Sequence, residues 1–212
     1  MAESKASRPY CTILAGPNGS GKSSIYPVLD PVGEFVNADV VARKLAPQNP
    51  EGASMAAGRL VLAAIEEMLG ERRSFVYETT LSSRQSLKVM ERCKALGYEI
   101  AFVFVALDSA DLNVERVAQR VIAGGHHIDE IVVRRRYETT FGRLPTALQL
   151  SDTALVFDNS GLKPLLLLTI DGRRIIQNRL DEASSLHLRL AGAVAEAFYL
   201  DVETVLLAGM NT

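Results

Sequence analysis

The chain has 212 residues, 48% of them hydrophobic and 23% charged, with a formal net charge of −2 and a pI near 6.0. That length suffices for a well-buried core in one domain. The near-neutral charge, with six Tyr, seven Phe and no Trp, argues against bulk nucleic-acid binding or an anionic membrane surface.

The opening MAESKASRPY carries no apolar signal core, and the apolar stretches are too short or too interrupted to span a bilayer. A cytoplasmic location is the expectation. The first strand is predicted over Tyr10 to Gly16, and Gly16 to Ser23 then reads GPNGSGKS, a full match to the G-x-x-x-x-G-K-[ST] phosphate-binding loop. Such a loop needs a strand before it and a helix after it, and SSIYPVL supplies the helix start, with Pro27 as a shortening or kinking element. Its glycines let successive N–H groups turn inward around phosphate oxygens at the positive end of the helix. Pro17, Asn18, Gly19, Ser20, Gly21, Lys22, Ser23 and Ser24 are therefore the candidate nucleotide-binding residues. Lys22 is placed to reach the β- and γ-phosphates, and the Ser23 hydroxyl to complete the shell of a Mg²⁺ ion.

Downstream, strand-like and helix-like segments alternate. Strands are predicted over Glu34 to Asp39, Ser74 to Thr80, Glu99 to Leu107 and Ala154 to Gly161, and helices over Ser54 to Glu71, Ser83 to Leu96, Asp111 to Ala123 and Asp129 to Gln149, the last with a bend at Pro145. The continuously apolar EIAFVFVAL suits a central strand. Alternation of this kind implies a parallel sheet with helices on both faces. After residue 161 the chain reads as a hairpin around Asp171-Gly172 and then as a helical appendage, Asp181 to Leu207, in which nothing suggests chemistry. Cys11 and Cys93 are read as separate buried or incidental thiols, with no disulfide or zinc site.

In open α/β sheets ligands gather at the carboxyl ends of the strands. Three strands end in acids there, Asp39, Glu78 and Asp158, and all three are expected at the loop's edge. An acid in that place can take a hydroxyl proton, hold Mg²⁺ through water or bind a sugar. Asp39 can also be read as a helix N-cap for VVARKL, Glu78 as a partner of Thr79 or Thr80, and Asp158-Asn159-Ser160 as a turn or a nucleotide-base contact. Cations come from Arg116 and Arg120, four apart on one helix, and from Arg134, Arg135 and Arg136 on the next. The stripe Val133, Tyr137, Phe141, Leu144 and Leu148 turns Arg135 to solvent and leaves Arg134 and Arg136 at its flanks. Between these helices Gly124-Gly125-His126-His127 reads as a hinged flap, the histidines being cap or lid residues.

Taken in order, GPNGSGKSS, VNAD, YETTLSS, GYEIAFVFVAL, RVAQRVIAGGHHI, RRRYETTF and LSDTALVFDNSG resemble the zeta toxin family of P-loop phosphotransferases, over roughly Tyr10 to Gly161. The resemblance implies a nucleoside-kinase-like three-layer α/β sandwich with a central five-stranded parallel sheet. It also implies ATP and Mg²⁺ as cofactors, and transfer of phosphate to a small-molecule hydroxyl, which in characterised toxins is the 3′-hydroxyl of the amino sugar of UDP-N-acetylglucosamine. By position, Lys22 and Ser23 would serve the nucleotide and metal, Asp39 would be the general base, and Glu78 and Thr80, with Arg43, would hold the acceptor. One arginine from each helix would form a cationic clamp, Arg120 and Arg136 being favoured because one precedes the GGHH flap and the other adjoins the start of the buried stripe. Asn159 is assigned to the nucleotide. An antitoxin protein is a candidate partner on the resemblance alone, no antitoxin-like segment preceding the loop. Two other functions compete: a kinase for another sugar, antibiotic or nucleotide hydroxyl, and a nucleotide-dependent regulatory ATPase acting through a protein. The absence of an apolar run ending in paired acids weighs against the ATPase.

Overall fold

A computed structural model describes residues 8–125 and 127–209. Its centre is a sheet built from β1 (Tyr10–Ala15), β2 (Glu34–Asn37), β3 (Phe75–Thr79), β4 (Glu99–Ala106) and β5 (Thr153–Asp158). The order is β2-β3-β1-β4-β5, and every neighbouring pair in it is parallel. The hairpin strands β6 (Leu165–Asp171) and β7 (Arg174–Asn178) extend this sheet antiparallel beyond β5. Gly172, at φ +59°, and Arg173 make the hairpin turn, one residue later than the Asp-Gly pair suggested.

Alternation along the strands sorts side chains to two faces. Cys11, Ile13 and Ala15 of β1 and Ile100, Phe102 and Phe104 of β4 join one large apolar cluster, while Leu14, Val103 and Val105 turn to a small one. The large cluster is covered by α3 (Ser54–Gly70), α4 (Arg84–Ala95), α6 (Glu130–Leu150) and α7 (Ser185–Phe198). The small one packs against α1 (Lys22–Leu29) through Ile25, Tyr26 and Leu29. The two outer layers are thus unequal. β4, between β1 and β5, is apolar on both faces because both are covered.

Several expectations change in detail. β2 stops at Asn37, whose side chain caps α2 (Ala38–Leu45) by accepting the N–H groups of Asp39 at 2.6 Å and Val40 at 3.2 Å. Asp39 is therefore neither a strand end nor the N-cap, but sits in the first turn of the helix. The tail is not an appendage: Leu186, Leu190, Ala191, Val194, Ala197 and Phe198 of α7 are buried in the same cluster as β1. α7 ends where Tyr199 takes a left-handed conformation, before the short α8 (Val202–Leu207). The cysteines are not separate: the Cys93 thiol lies in hydrogen-bonding contact with Cys11, and burial, with that contact, pushes the Cys11 thiol well up. A strand residue and a helix residue 82 positions apart meet because α4 lies over the sheet, which spacing along the chain cannot reveal. No helix among the described residues is long and apolar enough to cross a membrane.

Candidate functional site

A cleft of about 570 Å³ opens beside the carboxyl ends of β1, β2 and β3. One wall is the phosphate-binding loop. Gly21 is at φ +88°, and a Cβ there would lie 2.2 Å from the Asn159 amide nitrogen, so both the backbone angle and the close approach demand glycine. Two amides hold the loop from behind. Asn113 of α5 (Ala110–Ile122) donates Nδ2–H to the Asn18 carbonyl at 2.5 Å, and Asn159 donates Nδ2–H to the Ser20 carbonyl at 2.8 Å. Lys22 is buried, its Nζ donating to the Gly16 and Pro17 carbonyls at 2.8 and 3.1 Å.

Three arginines complete this wall: Arg116, Arg120 and Arg136. Arg116 donates to the Ser160 carbonyl at 3.2 Å and Arg136 to Asn18 Oδ1 at 3.1 Å. Arg120 differs, since its Nε and one terminal nitrogen are buried with no hydrogen-bond partner among the described residues. Guanidinium N–H groups left unpaired away from water are costly, and an anion in the cleft would satisfy them. Burial lowers the pKa of Arg136, with Asp39 acting against the shift. Burial likewise lowers that of Lys22, with Glu78 and Asp39 raising it and Arg120 and Arg136 lowering it further. Lys22, Arg120, Arg136, Asp39 and Glu78 thus share one field.

The opposite wall carries Asp39 from α2, Glu78 and Thr80 from the end of β3, and Ser82 and Ser83 from the turn beyond. α6 pins that turn: Thr140 Oγ1 donates to the Thr80 carbonyl at 2.6 Å, and Arg143 donates to the Ser82 carbonyl. Thr80 Oγ1 lies 2.7 Å from Ser82 Oγ. Four cations, Lys22 and the three arginines, thus face two carboxylates across the space. The excess positive charge suits a polyphosphate.

The structure brings Asn18, Gly19, Gly21, Lys22, Ser23, Ser24, Asp39, Glu78, Thr80, Arg120 and Arg136 together around the cleft. Others fall elsewhere. Arg43 is exposed late in α2 and does not line the cleft. Pro17 and Ser20 are buried in the loop rather than facing the space. Asn159 donates to the Ser20 carbonyl, so it braces the loop. Asp158 turns away from the loop's edge, accepting from the Ser160 N–H and hydroxyl and facing His187. Arg135 is exposed, and Arg134 pairs with Asp111 and Glu130, as expected of flanking and solvent-facing positions. The flap glycines are a helix C-cap: Gly125 N–H reaches the Arg120 carbonyl and Gly124 N–H that of Val121, with Gly124 at φ +90°. His127 is exposed and 3.3 Å from Asp129, away from the cleft; His126 lies outside the described residues.

Sequence reasoning missed Asn113, although a signal existed. Asn113, Arg116 and Arg120 fall at i, i+3 and i+7, one face of one helix.

The family model for the zeta toxin matches residues 2–161 of the chain. An uncharacterised protein of Haemophilus influenzae is 32% identical over 129 residues, 60% of this chain and 89% of that protein. Among solved structures, the AvrRxo1-ORF1:-ORF2 complex with ATP is similar at TM-score 0.61 and 16% identity, over 96% of this chain and 78% of that one. The PezAT chromosomal toxin–antitoxin system of Streptococcus pneumoniae is similar at TM-score 0.54 and 13% identity, over 92% and 88%. By its matched family model the chain belongs to the zeta toxin family, and with this P-loop kinase fold it is a nucleotide-dependent phosphotransferase acting on a hydroxyl group.

Proposed function

We propose that the protein transfers the γ-phosphate of ATP to a hydroxyl of a small molecule, with the amino sugar of UDP-N-acetylglucosamine as the leading acceptor. The observation that carries this reading is the buried Arg120 edge, without a partner among the described residues, in a cleft where Lys22 and Arg136 face Asp39 and Glu78. Charge in phosphoryl transfer spreads over the γ-phosphate oxygens, so fixed cations on one side and a proton acceptor on the other meet both needs of the reaction. In this reading the acceptor oxygen attacks phosphorus as the bond to ADP breaks, and the hydroxyl proton passes to the Asp39 carboxylate. Glu78 and Thr80 hold the acceptor. Lys22, Arg120 and Arg136 hold the phosphates, and Arg116, tied to Ser160, adds to the same field. The Ser23 hydroxyl, exposed at the start of α1, fits a Mg²⁺ ion whose other ligands are phosphate oxygens and waters. When bound, that ion would neutralise charge between the β- and γ-phosphates.

The test is ADP formation from Mg·ATP with and without UDP-N-acetylglucosamine, with products weighed by mass spectrometry. Acceptor-dependent ADP and a UDP-sugar one phosphate heavier support the reading. ADP release stimulated only by another sugar, antibiotic or nucleotide moves the acceptor and keeps the kinase. Slow hydrolysis that no acceptor stimulates would favour a regulatory ATPase. The solved toxin–antitoxin relative supports an antitoxin as the protein partner to seek, by co-expression with neighbouring open reading frames.

A further inference from the structure

The C-terminal segment reaches the phosphate-binding loop through a buried histidine. His187, in the first turn of α7, is 7% exposed. Its Nδ1 accepts the Asp181 backbone N–H at 2.9 Å. A backbone N–H can only donate, so the ring proton resides on Nε2. That nitrogen faces Asp158 Oδ2 at 3.4 Å. The other Asp158 oxygen accepts from the Ser160 N–H at 2.8 Å and its hydroxyl at 2.5 Å. Ser160 is held again by Asp108 N–H on its hydroxyl at 2.8 Å and by Arg116 on its carbonyl. Between them Asn159 is pinned by its N–H to the Ala106 carbonyl at 3.0 Å and braces Ser20 with its side chain. Among the described residues His187 is the hydrogen-bond partner of Asp158 Oδ2.

We propose that His187 is a positioning residue for nucleotide binding: through Asp158 it fixes the 158–160 turn, which sets both the phosphate-binding loop, by Asn159, and the cleft arginine Arg116, by the Ser160 carbonyl. This rests on the kinase reading of the cleft. Without the Nε2 donor, a largely buried carboxylate loses its partner and must turn toward Ser160 or water, and the turn that carries Asn159 turns with it.

The experiment is calorimetric titration of ATP into the full chain, comparing wild type with His187→Gln and His187→Asn, with thermal melts alongside. Glutamine places an N–H donor near the Nε2 position; asparagine keeps an acceptor near Nδ1 for Asp181 and loses the reach to Asp158. His187→Gln should hold the ATP dissociation constant near the wild-type value, and His187→Asn should raise it about tenfold, the low end for groups that orient a binding residue from behind. In an Asn159→Ala background His187→Asn should add almost nothing, because both act along one path. Equal affinity of His187→Asn and wild type overturns the inference, as do penalties that simply add in the double variant, which a purely structural histidine would give. Where His187→Asn does not fold, Asp158→Asn removes the acceptor facing Nε2 while keeping an oxygen for the Ser160 N–H and hydroxyl, with the same expected loss and the same overturning result. Wild-type protein that binds no ATP sinks the kinase reading and this inference with it, whereas wild-type binding with unaffected variants sinks this inference alone.

Discussion

The two walls of the cleft are built differently. On the phosphate wall Asn18, Ser20 and Lys22 are buried, and the loop's carbonyls and side chains are held by Asn113, Asn159 and Arg136, each from a distant element. On the acceptor wall Asp39, Glu78 and Thr80 are half-buried; Asn37 holds the Asp39 N–H locally, and the Thr80 turn is held by Ser82 beside it and through backbone carbonyls by Thr140 and Arg143 of α6. A polyphosphate is the same in every reaction of this class, so its site can be braced once and kept rigid. An acceptor differs from enzyme to enzyme, and a wall whose functional side chains are only half-buried can be reshaped without loosening the nucleotide. The walls should therefore fail differently when altered.

The largest effect is expected on the phosphate wall. Arg120→Ala should lower phosphoryl transfer by about 10³–10⁵-fold, the range for a cation that stabilises the transferring phosphate. Because two Arg120 nitrogens are buried without partners among the described residues, the same change should leave the thermal midpoint of the nucleotide-free protein unchanged or raised. Activity and stability moving together downward would place Arg120 in the scaffold instead. Next comes Asp39→Asn on the opposite wall, with a loss of about 10²–10⁴-fold in kcat, as for removal of a general base, and ATP affinity close to wild type. An active Asp39→Asn enzyme would remove that residue from the mechanism. The comparison is sharpest in this pair, since only the acceptor-wall change should spare ATP.

Asn113→Ala touches neither phosphate nor acceptor. It removes the amide that satisfies the buried Asn18 carbonyl, and should cost about 1–3 kcal/mol of stability by denaturant titration, with weaker ATP binding. A change confined to stability would show that the loop keeps its shape without this brace.

What the sequence disclosed follows the same division. Gly16 to Ser23 carries its chemistry in contiguous residues, and β4, EIAFVFVA, carries its central place in unbroken apolarity, so both were readable directly. The five-stranded parallel sheet came with the resemblance, its strand order only with the structure, and the antiparallel β6 and β7 joined the sheet as a hairpin can. The braces were not readable, because a hydrogen bond from Asn159 to Ser20 or from His187 to Asp158 depends on how sheet and helices close on each other. Asn159 reads as a turn or ligand residue because an asparagine after a strand is polar at the right end of the sheet, and only tertiary placement shows that its amide braces the loop. The Cys11–Cys93 contact escaped in the same way.

The smallest effect lies at Lys22 and separates the walls by proton rather than by rate. In the free protein burial lowers the Lys22 pKa from its usual 10.5, and the attraction of Glu78 and Asp39 does not offset it. An unfolded chain binds more protons at this site than the folded one, so the nucleotide-free protein should gain stability as pH rises through the window from the lowered value toward 10.5. Phosphates beside the ammonium favour its charged form and reverse the shift on binding. ATP should therefore bind with uptake of less than one proton above about pH 8, where a terminal phosphate is fully ionised, and its affinity should fall as pH rises. Calorimetric titrations in buffers of different ionisation enthalpy measure the uptake directly. Asp39→Asn, by removing a charge that raises the Lys22 pKa, should move the onset of uptake to lower pH. Lys22→Met should abolish it, and uptake that persists in Lys22→Met belongs to another group.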